Sequence, residues 1–326
     1  MIPTLEELLA SASQFSNRLQ FRFRGVTHRE GVLFDAPNGW AEFAPFDDYD
    51  DKGAARWLAA AIEAGWGVWP EPVRDQVPVN VIVPALEPSL AAAFVSQAAQ
   101  QTGCHTVKVK VADPGTDLRA DVDRLIAIKA ALDDFYGEGL ARIRIDANGA
   151  WTLAEAINNI RVIDDLIDGI DYVEQPCSSL EDCGALRDEV GVLIAIDEGL
   201  RKAPSLEQAI DAVRRNADVV ILKPIPLGGV AKTLEVAQQI GLPTVISGSM
   251  DSSVGLTVGI AAAAALPTLN AACGLGTGLL LADDVVAEPL QPAHGVLRPQ
   301  RVQAQAGSTL TVEWTERIKR AYANLA

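Results

Sequence analysis

The chain has 326 residues, 49% of them hydrophobic, enough to bury the core of one large α/β domain and a smaller companion. It carries 27 Lys and Arg against 43 Asp and Glu, a net charge of −16 with a pI near 4.6. This balance argues against nucleic acid and anionic membranes as partners, no protein partner is inferred, and an anionic substrate would need local positive charge from lysines or a metal.

Residues 1–9 (MIPTLEELL) have neither a basic n-region nor a long apolar stretch, so no signal peptide is expected there. Residues 4–12 read as a helix, and 19–26 (LQFRFRGV) alternate as a strand on which Arg22 and Arg24 are expected to face solvent. Segments 32–34 and 40–43 flank Asp35-Ala-Pro-Asn-Gly39, a hairpin loop with strong turn chemistry. Residues 54–64 form a helix ending at Gly65. The stretch 1–77 is therefore read as an α+β unit of modest size.

From residue 78 the pattern changes to strict alternation. Strands are expected at 79–83, 106–111, 142–146, 171–174, 193–197, 218–223, 243–247 and 269–274. Helices are expected between them at 88–102, 117–135, 152–166, 179–189, 205–215, 229–240 and 252–265. This alternation over 78–286 fits a (β/α) barrel of the TIM type, with an open doubly wound sheet as the alternative. The apolar run 254–266 (VGLTVGIAAAAAL) is too short to span a bilayer and reads as a buried helix. The tail, about 287–326, ends in a helix at 313–325 and is expected to pack back on the first unit.

Cys104, Cys177, Cys183 and Cys273 show no metal-binding spacing and read as reduced, buried thiols of a cytoplasmic protein. His28, His105 and His294 lie in no recognisable catalytic spacing and receive no role.

Five charged residues end successive strands: Lys110, Asp146, Glu174, Asp197 and Lys223. Lys108 and Lys110 alternate with Val107, Val109 and Val111, so the charged parity points into the barrel, at the strand ends where barrel enzymes place their chemistry. Three carboxylates crowded there repel one another unless a cation joins them. Oxygen-only ligands favour a hard divalent ion, Mg²⁺ first and Mn²⁺ second. A lysine on either side then supplies a base, since a nearby cation lowers lysine pKa. The chemistry this spells is removal of a proton next to a carboxylate. Structural salt bridges lining a barrel are the plainer reading of any one of these residues.

The set Lys108-Val-Lys110, Asp146-Ala-Asn148, Glu174-Gln-Pro176, Asp197-Glu198 and Lys223-Pro224 resembles the motifs of the enolase superfamily, muconate-lactonising subgroup. The resemblance implies a (β/α)₇β barrel under an α+β capping domain made from the N-terminus and the C-terminal tail. It implies Mg²⁺ on Asp146, Glu174 and Asp197, with Lys110 and Lys223 as the catalytic pair. Three stretches, Gly39-Trp-Ala-Glu-Phe-Ala-Pro45, Ser247-Gly-Ser-Met-Asp-Ser-Ser253 and Gly274-Leu-Gly-Thr-Gly278, are most similar to the branch that dehydrates a hydroxycyclohexadiene carboxylate to an aromatic acid. In that branch Lys110 would take the α-proton and then protonate the leaving hydroxyl, while Lys223 stabilises the enolate from the opposite face.

Around this centre, Ser247, Gly248 and Ser249 open a helix whose N-terminus is expected to bind a substrate carboxylate, with an ordinary Ser-rich cap as the alternative. Gly274 is expected to let the backbone approach the substrate. Asn148 is expected to support the metal, bond Lys110 or cap the next helix. The specificity loop of the capping domain is expected near residues 12–19. Racemases, dipeptide epimerases and cycloisomerases of the same superfamily need the same residues and stay open as alternatives. A Schiff-base aldolase on either lysine, or a non-catalytic carboxylate binder, are the readings outside it.

Overall fold

The computed structural model describes residues 2–23 and 25–325; Arg24, read above as solvent-facing, lies outside the described residues. The first unit is a three-stranded antiparallel sheet of β1 (Ala12–Phe23), β2 (Val26–Ala36) and β3 (Gly39–Phe43), in that order. β2 and β3 meet in a hairpin registered Ala36↔Gly39. Helix α1 (Leu5–Ala10) opens with a Thr4/Glu7 capping box, and Asp50 caps α2 (Asp51–Trp66). The sheet and α2 bury Phe34, Phe43, Trp57 and Leu58 between them. β1 begins at Ala12, paired with Phe34. Residues 12–19 are therefore strand and not the expected specificity loop. Their polar side chains hid a strand whose backbone is satisfied by β2.

The second unit is a barrel of eight parallel strands. These are β4 (Val77–Val83), β5 (Thr106–Lys110), β6 (Arg142–Asp146), β7 (Val173–Glu174), β8 (Ile194–Ile196), β9 (Val219–Leu222), β10 (Thr244–Ile246) and β11 (Cys273–Gly276). The intervening helices are α3 (Pro88–Thr102), α4 (Leu118–Tyr136), α5 (Leu153–Ile167), α6 (Leu180–Glu189), a short α7 (Glu198–Arg201) with α8 (Leu206–Asn216), a short α9 (Pro224–Leu227) with α10 (Val230–Ile240), and α11 (Ser253–Ala265). The odd-numbered valines of β5 turn out to the helices. Inside, Tyr172, Ala195, Val219, Ile221 and Val245 form a separate buried cluster that fills the barrel floor. Arg144 is buried beside them, bonded to Asp171 (2.7 Å), Asn80 (3.0 Å) and the Ala272 carbonyl (2.7 Å).

The eighth strand lies later than the sequence suggested, at 273–276 in place of 269–274. Pairing explains the shift. Cys273 and Gly276 register against Val79 and Val81 of β4, and a bridge between Ser247 and Gly274 closes the barrel against β10. A Cβ at Gly276 would lie 2.4 Å from the Asn80 carbonyl oxygen, and one at Gly274 2.5 Å from Ser247 Oγ. These glycines let neighbouring strands approach, and Gly274, expected to admit the substrate, stands at the barrel seam.

Helix α12 (Val312–Ala323) lies against the first unit, with Arg317–Asp47 (3.2 Å) and Arg320–Asp51 (3.0 Å) ion pairs and a Tyr322 hydroxyl donating to the Pro3 carbonyl (3.0 Å). Among the described residues no helix is long and apolar enough to cross a membrane. Gly276→Ala is expected to lose about 1–3 kcal/mol of stability through overpacking at the seam. An unchanged urea midpoint for that variant would show that the seam tolerates a side chain.

Candidate active site

The strand ends bring the five expected residues, and Lys108, to the same mouth of the barrel. Lys110, Asp146 and Glu174 are the last residues of β5, β6 and β7, while Asp197 and Lys223 directly follow β8 and β9. In-register parallel pairing aligns Lys110 with Asp146 and Asp146 with Glu174. Period-two geometry then turns all of them inward.

The contacts form a chain of buried ion pairs. Lys108 Nζ lies 3.0 Å from Asp146 Oδ2 and 2.7 Å from Glu174, and Lys110 Nζ lies 2.6 Å from Asp146 Oδ2. Lys223 Nζ lies 2.6 Å from Asp197 Oδ2, and Arg201 Nε lies 2.7 Å from Asp197 Oδ1. Asp146, Glu174 and Asp197 are almost wholly buried. Burial, then the neighbouring Asp146, push Glu174 up to about 7. Burial acts the same way on Asp146, but Lys108 and Lys110 outweigh it and hold that carboxyl well below its usual range. Burial opposes the charge on Lys108, and Asp146 with Glu174 overcome it, so its pKa lies above the ordinary lysine value.

Supporting residues orient these groups. Asn148 accepts from Lys110 Nζ through its side-chain oxygen, and its amide donates to Glu198 Oε1 (3.2 Å). The Lys110 contact expected of Asn148 is present, and its backbone N–H also donates to Asp146 Oδ1 (3.1 Å); Thr152 caps α5. Gln175 Oε1 accepts from the backbone N–H groups of Asp197 (3.2 Å) and Gly199 (3.0 Å), tying the end of β7 to the end of β8. Arg201 also donates to Glu198 (2.6 Å) and to the Tyr49 hydroxyl of the first unit (2.9 Å). Neither Gln175 nor Arg201 was singled out from the sequence. The E-Q-P triplet was the available signal for the first; the second is joined to its partners by tertiary contacts as well as by its own short helix.

A small pocket of about 30 Å³ sits over this centre. Lys108, Lys110, Asp146 and Lys223 form its charged floor, Phe23, Phe46, Ile82 and Met250 its apolar walls, and Ser247, Gly248, Ser249 and Thr277 its polar rim. Phe23 and Phe46 come from the first unit, so that unit caps the barrel. A larger apolar groove opens at the opposite end of the barrel, against Leu193, Leu234, Pro243 and Leu266. Its strand-end carboxylates Asp171 and Asp218 are engaged by Arg144 and Arg187, which leaves them no free chemistry.

The N-terminus of α11 does not offer the expected anion site. Its first N–H groups are already taken: Ser252 and Gly255 donate to Glu42 Oε2 (3.1 and 3.3 Å), Ser253 to Asp284 (3.1 Å), and Val254 to Ser252 Oγ (3.2 Å). Ser247, Gly248 and Ser249 remain on the pocket rim, but the helix end behind them is filled by protein carboxylates.

The donor set suits a hard divalent ion. The three carboxylates share one space, since both Asp146 and Asp197 act on Glu174, and no nitrogen or sulfur ligand stands among them. As the side chains stand, no three His, Cys, Asp or Glu among the described residues close on a single point; the oxygens converge on the ammonium groups of Lys108 and Lys223. Lys108 therefore stands where it neutralises two of the ion's candidate ligands.

Comparison with known proteins agrees with this geometry. The family described as "Enolase C-terminal domain-like" matches residues 91–314, and "Enolase N-terminal domain-like" matches 15–65. The chain is 45% identical over 314 residues to the o-succinylbenzoate synthase of Thermobifida fusca, covering 95% of each chain. It is 42% identical to that of Mycobacterium leprae, covering 100% of this chain and 95% of the relative. Among solved structures, a dipeptide epimerase from Enterococcus faecalis V583 complexed with Mg and L-Leu-L-Tyr superposes with a TM-score of 0.71 at 19% identity, covering 90% of this chain and 97% of the other. The chain belongs to the enolase superfamily and, within it, to the o-succinylbenzoate synthase family of carbon–oxygen lyases.

Proposed function

We propose that the chain carries out the Mg²⁺-dependent syn dehydration of 2-succinyl-6-hydroxy-2,4-cyclohexadiene-1-carboxylate to 2-succinylbenzoate, a cytoplasmic step of menaquinone biosynthesis. The observation that carries this reading is the pairing of Lys110 and Lys223 on one pocket with three buried carboxylates at its base. Near-full-length similarity to proteins named for this reaction supports the substrate. Four free, buried cysteines accord with a reducing compartment.

Asp146, Glu174 and Asp197 would hold the ion, which when bound supplies Lewis-acid stabilisation of charge developing on the ring carboxylate. The chain's own residues do the rest. Lys110 Nζ, oriented by Asn148, takes the proton from the carbon beside that carboxylate. The same lysine returns the proton to the hydroxyl leaving from the same face, and loss of water makes the ring aromatic. Lys223, paired with Asp197, faces the pocket from another strand and offsets negative charge without moving a proton. Phe23, Phe46, Ile82 and Met250 keep bulk water from the carbanionic carbon.

Turnover is followed as the change in ultraviolet absorbance on aromatisation. Lys110→Ala is expected to lower kcat by about 10²–10⁴-fold, and EDTA to abolish activity until Mg²⁺ or Mn²⁺ is restored. Turnover that survives either treatment would remove Lys110, or the ion, from the reaction. A second reading rests on Lys223 sharing the pocket with Lys110, the arrangement a two-base racemase needs. It predicts α-proton exchange of N-succinylamino acids in D₂O that Lys223→Ala stops.

Lys108→Met gives a test independent of turnover. Removing the shared partner of two buried carboxylates is expected to destabilise the protein by about 3–5 kcal/mol without metal. Mg²⁺ is expected to raise the variant's melting temperature more than the wild type's. A variant as stable as wild type and indifferent to Mg²⁺ would show that Lys108 does not hold these ligands.

A further inference from the structure

The pocket rim at 248–252 is held in place from the capping domain. Met250 sits at φ +60°, a conformation that few non-glycine residues adopt without support. Its carbonyl accepts from Arg29 Nε of β2 (3.3 Å), and Arg29 also reaches the Ala44 carbonyl and stacks 4.0 Å over Phe46. Ser249 N–H donates to Asp251 Oδ2 (2.8 Å). The Ser252 hydroxyl and N–H, with Gly255 N–H, all donate to Oε2 of Glu42 on β3. Thus Glu42, from the second unit's cap, fills the start of α11 and fixes the end of the rim.

Charge and hydrogen-bond bookkeeping leave this cluster one proton short. Arg29, Glu42 and Asp251 are each at least 97% buried. The other charges facing them are committed elsewhere: Lys223 to Asp197, Arg317 to Asp47, and Asp284 to Ser253. One guanidinium thus faces two buried carboxyls, with Asp284 a further acid beside Glu42, in a place that tolerates little net charge. Glu42 Oε1 and Asp251 Oδ1 are buried acceptors without a hydrogen-bond partner among the described residues. Both side chains border Gly255: a Cβ there would lie 2.8 Å from Asp251 Cβ and 2.9 Å from Glu42 Oε1. Two buried orphan acceptors around one glycine lack a donor, and a carboxyl proton can be that donor.

We propose that Glu42 and Asp251 hold a single proton between them and act as positioning residues, the protonated pair fixing the segment 248–252 that lines the catalytic pocket. Burial, with Asp251 beside it, pushes Glu42 up to about 8, and burial likewise raises Asp251. An acid whose pKa rises on folding holds its proton at neutral pH and loses it as pH climbs through the raised value. The rim is therefore held below about pH 8 and released above it, independently of the lysine that must be deprotonated to act.

This inference rests on the proposed dehydration for what the rim positions, so its test has two arms. The first is kcat/KM from about pH 6 to 10 for wild type, Glu42→Gln and Asp251→Asn. Wild type is expected to fall about tenfold per pH unit above about 8, and either amide, which needs no proton to stay neutral, to flatten that limb. The second arm is amide hydrogen exchange at 249–255 without substrate, referenced to the buried amides of α5. In wild type the rim amides are expected to lose protection over the same range, and in the amide variants to keep it. Wild-type rim protection that does not change with pH overturns the proposal, whether or not the variants fold. So does a high-pH limb identical in wild type and either folded variant. Rim protection that titrates in an enzyme with no turnover of the cyclohexadiene supports the shared proton and overturns the proposed reaction instead.

Discussion

Charges buried at the mouth of the barrel must neutralise one another, and most of the architecture follows from that constraint. Three carboxylates and three lysines meet there with almost no solvent. An unpaired charge in such a place costs several kcal/mol, so the pairs have to be close and mutually satisfied. Lys108 meets this need by bridging Asp146 and Glu174, while Arg201 and Lys223 divide the two oxygens of Asp197. The arrangement depends on parallel strands in register, because only then do successive strand ends point their last side chains at one another. It also depends on the cap, which supplies the Phe23 and Phe46 walls that keep water out.

Capping domain and barrel are joined by the same kind of contact in several places. Glu63 of α2 accepts from the N–H groups of Val230 and Ala231 at the start of α10, where Gly229 offers no capping side chain. Glu42 of β3 does the same for α11. Tyr49 meets Arg201, and Arg29 meets the Met250 carbonyl. Helix N-termini carry partial positive charge, so a carboxylate from the opposite domain is a natural latch. The latches from Arg29 and Glu42 fall on the segment that carries the pocket rim, which ties the seating of the cap to the geometry of the site.

The periodicity of the barrel strands was legible in the sequence because each alternates valine or isoleucine with residues that face the interior. The charged strand ends stood out for the same reason. The eighth strand was placed too early because its glycines carry no pattern; what fixes it is contact with Asn80 and Ser247, which lie far away in the chain. Residues 12–19 looked like a loop because their strand is polar and its pairing with β2 is a backbone property. The start of α11 looked open to an anion, and a glutamate more than 200 residues away fills it.

By itself, then, the sequence determined the alternation that makes a barrel and the placement of Lys110, Asp146, Glu174, Asp197 and Lys223 at its strand ends, since each is encoded in local periodicity. Only the tertiary structure decided which charges pair, which helix ends are already filled, and which apolar residues roof the pocket. Those depend on distances between segments brought together by the closing of the barrel and the docking of the cap, and no local pattern in the chain carries a distance.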